Sequence, residues 1–314
     1  MHFTLKQLRY FVTAGEFSSV TKAAETLHVS QPSISSAILH LEDVTGLQLF
    51  VRHHAQGLSL TPAGRKFVLK AKQLLQDAEG LGHYANTLGE DIAGSLKIVG
   101  FPTFTPILMP SLMKAFVDAY PDVTVQCDEN HQKDLIQSLH EGRYELGLTY
   151  DLQIPADIEF EAIIEFPPYA VLNNAHPLAD REELSLRELA DYPMVVLDWP
   201  MSRDYFYSLF LSQDLEPEFA YKAQSLGMVR GLVGNGFGYS LFNSPLASNL
   251  ALDGTELKAI PLKDKLRPLR MGIAKVGQLR LTPAAQAFVQ MLKTRTTELT
   301  DAVFTDKRFH KALD

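Results

Sequence analysis

The stretch from Ser18 to Leu41, SSVTKAAETLHVSQPSISSAILHL, constrains this chain more than any other. Ala23, Ala24 and Leu27 share one face of a short helix, and His28, Val29 and Ser30 break it. Ser30 can cap a second helix, with Pro32 in its first turn, where a missing N–H costs nothing. Ile34, Ile38 and Leu41 recur at i, i+4 and i+7, so one face of that helix is core. The other side carries Pro32, Ser33, Ser36 and His40, short polar groups with little charge. Two short helices joined by a tight turn, the second with a small polar outer face, fit a helix-turn-helix whose second helix can lie in the major groove. An ordinary helical hairpin is the commoner object with such spacing.

The flanks favour the first reading. Leu5, Leu8, Phe11 and Val12 make a preceding amphipathic helix, and Leu47, Leu49 and Phe50 make an apolar anchor after the pair. Arg52 to Gly57 is a polar, basic loop, and Leu58 to Leu60 can pair back as a short strand, which together make a wing. At this point the chain resembles the LysR-type transcriptional regulators. The resemblance rests on Leu5 to Val12, the KAAETLHVSQPSISSAILHLE run, GLQLFVR and LTPAG, and is continuous over about the first 65 residues. It implies a double-stranded DNA partner. Gln31, Pro32, Ser35 and Ser36 would approach bases or nearby phosphates, and Arg52 would reach the minor groove or backbone. Thr21, Ser30, Ser33 and His40 complete the expected DNA-binding set. Gln suits adenine N6 and N7, and Pro can touch a thymine methyl. The family usually has a basic residue after Ser35; Ser36 stands there instead, so the helix is less cationic than usual. His40, His53 and His54 compensate little, being mostly neutral at neutral pH.

Charge is divided to match. Residues 1–88 hold 8 Lys/Arg against 6 Asp/Glu, whereas the remainder holds 21 against 31. An acidic body repels DNA, so contact is confined to the N-terminal head. Cys127 is the only cysteine, which excludes an intramolecular disulfide and fits a reducing compartment. No apolar run approaches a membrane span and the N-terminus MHFTLKQLRY lacks a signal peptide's apolar core, so a cytoplasmic protein without membrane contact is expected.

The head is expected over residues 1–60, with a linker helix over 61–90 opened by Thr61-Pro62. Along it Phe67, Ala71, Leu74, Ala78, Leu81, Ala85 and Leu88 step by 4, 3, 4, 3, 4, 3, a heptad seam. Such a helix on a small head suggests a dimer zipper; the alternative is packing on its own domain. Gly80 and Gly82 weaken it, and a hinge is expected over Gly89 to Gly94.

From Ser95 short strands alternate with helices, which indicates parallel βαβ units, and a second α/β set follows after Pro167-Pro168. The fold class is therefore α/β with an all-α winged helix-turn-helix head. By looser resemblance (LKIVG, AYPDV, EGRYELGL, NGFGYSL), residues 91–300 form the two-lobed effector domain of the LysR type, with the fold of periplasmic solute-binding proteins. Lobe I is expected over about 91–166 and 269–300, lobe II over about 167–268, with a weakly structured tail at 301–314. Glu145 stands where the family usually has Asp.

Two such lobes enclose a cleft at strand C-terminal ends and helix N-termini. Thr103 matches a ligand-binding position of the family; Thr103 or Thr105 can equally cap the helix. Phe104, Asn130, His131, Gln132 and Thr149 complete the near wall, with His131 a hydrogen-bonding group rather than a metal ligand. Trp199, Ser202, Arg203, Ser225 and Asn243 face them, with Trp199 either core or pocket wall. Arg203 can clamp a carboxylate, although a salt-bridged arginine is the commoner case. The set favours a small effector with a carboxylate or comparable acceptor.

Enzyme readings fare poorly. GLVGNGFG follows a helix and precedes a strand, the wrong order for a dinucleotide loop, and no G-x-S-x-G elbow occurs. A resolving thiol for Cys127 is lacking, and neither a cofactor nor a metal is expected. The expected protein is a homodimeric or homotetrameric regulator whose effector alters DNA bending or contact with RNA polymerase. The alternative is a cytoplasmic small-molecule-binding protein whose helical head only assembles it.

Overall fold

The computed structural model describes residues 3–53, 57–86, 92–246, 248–277 and 279–295. In the head, α1 (Leu5–Phe17) opens with a capping box between Thr4 and Gln7. α2 (Val20–Thr26) and α3 (Gln31–Thr45) begin at Ser19 and Ser30, whose hydroxyls accept from the N–H groups of Lys22 and Ser33. α3 stops at Gly46, with φ of 65°. Leu8, Phe11, Ala23, Ile34, Ile38, Leu41, Leu49 and Phe50 form one core, so the expected apolar faces meet.

The wing is an antiparallel hairpin of β1 (Phe50–His53) and β2 (Gly57–Leu60). Gly57 has φ of 89°, and a Cβ there would lie 2.6 Å from the Ser18 carbonyl oxygen. The Leu58 N–H donates to that same carbonyl at 3.0 Å, which fastens the wing to the end of α1.

Thr61 caps α4 (Pro62–Asn86), accepting from the Gly64 N–H at 2.9 Å. The expected heptad seam divides. Phe67 packs edge-on against Phe11 at 5.5 Å and Ala71 is buried in the head core, whereas Leu74 is 39% exposed. The side chains of Leu81 and Ala85, and Leu88 entirely, lie outside the described residues, as do residues 89–91 of the expected hinge and the whole tail. Lys72 faces the body: its ammonium pairs with Glu16 at 2.8 Å and donates to the carbonyls of Glu141 and Gly142 at 2.9 and 3.2 Å.

The body begins with β3 (Gly94–Gly100), α5 (Thr105–Ala119), β4 (Val123–Glu129), α6 (Gln132–His140), β5 (Leu146–Tyr150) and β6 (Ile158–Phe166). After Pro167-Pro168 come β7 (Tyr169–Asn173), α7 (Leu186–Leu189), β8 (Val195–Leu197), α8 (Pro200–Leu211), β9 (Tyr221–Ala223), α9 (Leu226–Gly234), β10 (Ser240–Phe242) and β11 (Leu257–Pro261). β12 (Leu269–Val276) then returns to the first lobe, and α10 (Pro283–Thr294) packs on it. The first sheet has the order β4-β3-β5-β12-β6, with β3 parallel to β4 and β5 and β12 antiparallel to its neighbours. The second lobe holds β10-β7-β11, all antiparallel, beside the parallel pair β8-β9. β11 is not expected from the sequence, because LKAIP neither alternates nor forms an unbroken apolar run. Strand faces covered by helices explain the apolar runs: Leu96, Ile98 and Val99 of β3 are fully buried.

Glu145, the departure from the family's usual Asp, accepts from the Thr282 N–H at 2.5 Å and the Thr282 hydroxyl at 3.0 Å. It thereby ties the start of β5 to the cap of α10. Among the described residues no helix is long and apolar enough to cross a membrane.

Candidate functional site

The first surface is the outer face of α3. Burying Ile34, Ala37, Ile38 and Leu41 leaves Gln31, Pro32, Ser33, Ser36 and His40 exposed, with Ser35 half-buried. Thr21 is exposed on α2, and Ser30 is exposed while it caps α3. The Ser30 and Ser33 hydroxyls lie 2.8 Å apart, so each already has a local partner. The Glu42 carboxylate, near the end of α3, accepts from the N–H groups of Leu49 and Phe50 at 2.8 and 3.0 Å. That pair of bonds sets the wing's position relative to α3. The backbone of Arg52 lies in β1; its side chain is outside the described residues.

The second site is a cleft between the lobes, about 370 Å³ with its open mouth included. Phe101, Thr103, Tyr150 and Leu269 line it from the first lobe. Leu197, Ser202, Phe206, Leu226, Leu241, Phe242, Asn243 and Ser244 line it from the second. Strand ends and helix starts from both lobes supply these residues, as the crossover topology requires. Thr103 and Tyr150 share a hydrogen bond of 3.1 Å between their hydroxyls. Burial pushes the Tyr150 phenol well above its usual range, so it stays protonated.

Of the residues expected in the cleft, Thr103, Ser202 and Asn243 line this cavity. Trp199 and His131 meet across the cleft, ring centroids 4.1 Å apart, and Trp199 also lies edge-on to Phe101 at 5.5 Å. The indole N–H donates to the Gln224 carbonyl at 3.1 Å. Other candidates are placed elsewhere. Phe104 is fully buried in the first lobe against Phe101, Tyr150 and Phe166. Thr105 donates to the Phe101 carbonyl at 2.8 Å and packs over Gly100. Gln132 and Thr149 are buried and bonded to each other, and the Gln132 amide also donates to the Leu152 carbonyl at 2.8 Å. Ser225 is exposed and caps α9, and the half-buried Asn130 gives its N–H to the Gly100 carbonyl at 3.1 Å. Arg203 is bonded to Asp198 at 2.7 Å, the salt-bridged outcome.

Residues 5–65 match the family described as "Bacterial regulatory helix-turn-helix protein, lysR family", and residues 89–297 match the LysR substrate binding domain. The chain belongs to the LysR family of transcriptional regulators. The HTH-type transcriptional regulator CysB of Haemophilus influenzae is 31% identical over 86% of this chain and 84% of its own. HinK, a LysR family transcriptional regulator from Pseudomonas aeruginosa, is 36% identical with a TM-score of 0.63, over 94% of this chain and 99% of that one. Full-length CbnR, solved with its target DNA, has a TM-score of 0.57 at 22% identity over 94% of this chain and all of the other, and supports the fold.

In this LysR family member the cleft residues missed in the sequence are mostly apolar: Phe101, Leu197, Phe206, Leu226, Leu241 and Phe242. Nothing in an apolar residue distinguishes a cavity wall from ordinary core. Tyr150 ends the very strand on which Thr149 was singled out, and alternation places the two on opposite faces. Cys127 is half-buried, and burial, then Asp128 and Glu129, push its thiol up to about 11. A protonated thiol is a poor nucleophile, which argues against peroxide sensing. Among the described residues no group of His, Cys, Asp and Glu could hold a metal ion.

Proposed function

We propose that this regulator works as a homodimer or homotetramer whose heads read a two-fold site in double-stranded DNA. A small-molecule effector bound between the lobes changes the spacing of the heads, hence DNA bending or contact with RNA polymerase, in the cytoplasm. The exposed Gln31-Pro32-Ser33 turn with Ser36 behind it carries the DNA reading, since a capped helix offers these groups outward while its other face is core. Thr21, Ser35, His40 and Arg52 are assigned to the same DNA surface. Exposed Leu74 supports pairing of the linker helices, with the more C-terminal seam positions extending the contact. On this reading Thr103, Ser202 and Asn243 contact the effector, with Trp199 and His131 closing over it.

The test is a mobility shift of the full chain on DNA from beside its own gene, with random DNA as competitor. A specific complex that Leu74→Glu abolishes together with dimerisation supports the reading. Equal affinity for both DNAs would return the head to the role of an assembly module.

A further inference from the structure

We infer that the effector is a small uncharged molecule that donates a hydrogen bond to Asn243. This deepens the effector-binding reading and rests on it. Asn243 is 3% exposed and lines the cleft. Its amide N–H₂ donates to the Phe166 carbonyl at 2.8 Å and approaches the Tyr205 hydroxyl at 3.1 Å. Tyr205 spends its own proton on the Arg267 carbonyl at 2.6 Å, so its oxygen is the acceptor in that pair. Flipping the amide would set Oδ1 against the Phe166 carbonyl, two acceptors together. The orientation is therefore fixed, and Oδ1 is left buried with no hydrogen-bond partner among the described residues. A buried acceptor without a donor is unfavourable, and a ligand O–H or N–H in the cleft relieves it.

The charge of the ligand follows from what surrounds it. None of the residues lining the cavity itself is Asp, Glu, Lys, Arg or His, and the imidazole of His131 beside it is stacked on Trp199. The nearby cations are committed: Arg203 to Asp198 at 2.7 Å, and Arg267 and Arg270 to Asp151 at 3.1 and 2.9 Å. A carboxylate or an ammonium group would lose its hydration here without gaining a counter-charge. The remaining polar lining is hydroxyl, from Thr103, Ser202, Tyr150 and Ser244, set among apolar walls. α8 begins at Trp199 with no side-chain cap, so its first N–H groups near Ser202 can take an acceptor atom; with no full counter-charge beside them, a neutral oxygen costs less to desolvate there than a carboxylate. The figure of about 370 Å³ counts the open mouth as well as the enclosed part, so the cleft takes a small molecule, and a single-ring alcohol, phenol or amide probes the upper end of that size.

The experiment uses the full-length protein and ligands matched in shape. Phenol and anisole differ in the donor; benzamide, benzoate and benzylamine differ in charge. Binding is read by the emission of Trp199, the only tryptophan, and by the melting temperature. Phenol should bind about tenfold tighter than anisole, and benzamide at least about tenfold tighter than benzoate or benzylamine, one hydrogen bond or one unpaired charge being worth that much. Asn243→Leu should erase the phenol–anisole difference; should that variant not fold, the wild-type pairs already decide. Equal binding of phenol and anisole overturns the role of Asn243. Preference for benzoate or benzylamine overturns the neutral class, and no response to any of the five overturns ligand binding at this cavity. A mobility shift on the same preparation separates these outcomes from failure of the regulator reading: intact specific DNA binding leaves that reading standing.

Discussion

Gln31, Pro32, Ser33 and Ser36 are brought together by six consecutive positions of one helix, whereas Thr103, Ser202 and Asn243 are gathered from across about 140 residues. The first surface needs only a cap, a helical period and a buried opposite face. The second needs the sheets of both lobes and the crossovers between them before any two of its residues meet. The polar DNA face is also solvent-exposed, while the cleft's polar groups are buried, Thr103 bonded to Tyr150 and the Asn243 N–H₂ to Phe166. A local surface is thus written in spacing; a cleft is written in topology.

The sharpest way to break this comparison is to unfold one region alone. Phe11 is fully buried and stacks edge-on with Phe50 and Phe67. Phe11→Ala should destabilise the head by about 3–5 kcal/mol and abolish DNA binding. Trp199 lies in the body, so the fluorescence-detected urea transition should keep its midpoint. A matching shift in that transition would show that head and body unfold as one unit. Next in size is the readout itself: Gln31→Ala should weaken a specific site by about 1–3 kcal/mol and leave random DNA nearly unaffected. Equal losses on both DNAs, by fluorescence anisotropy, would strip Gln31 of a base-reading role.

A smaller effect is expected in the body under acid. Bonds from the Ser185 hydroxyl, then Lys263 and the Ser185 N–H, hold the Glu188 carboxyl at about 2, below its ordinary 4.5. A depressed carboxyl stabilises the fold above the unfolded value and loses that contribution as pH falls through the folded one. Glu188→Gln should therefore melt slightly below wild type at neutral pH, with the gap closing between pH 4.5 and 2. A gap that widens on acidification would contradict the sign. The smallest effect belongs to Cys127→Ser, which should leave DNA binding and its response to peroxide unchanged, since the thiol sits near 11. A peroxide response present in wild type and absent in the variant would make it a sensor.

The same contrast explains what the sequence revealed. The head's helices, the turn at His28 to Ser30 and the wing were legible because caps, apolar periods and glycines act within a few residues. The βαβ order of the first lobe and the return of β12 were legible from alternating periods. β11 was not, because its pairing with β7 across about 85 residues, rather than its composition, makes it a strand. In the cleft, Gln132 and Thr149 carry the right groups at the right strand ends but satisfy one another, a fact fixed only by tertiary contact. Arg203 likewise looks available until Asp198, five residues earlier, is seen beside it.

Lys72 gives the division into head and body a further physical character. Its side chain is 11% exposed, and its ammonium serves Glu16 of α1 and the carbonyls that follow α6 at once. The head is therefore moored to the first lobe by a charge as well as by the chain that joins them. Its Glu16 partner is 42% exposed and open to screening, whereas the carbonyls meet a lysine side chain that is mostly buried. Raising ionic strength loosens the mooring from the head's side first, so the angular freedom of the two parts depends on salt even where no DNA phosphate is involved.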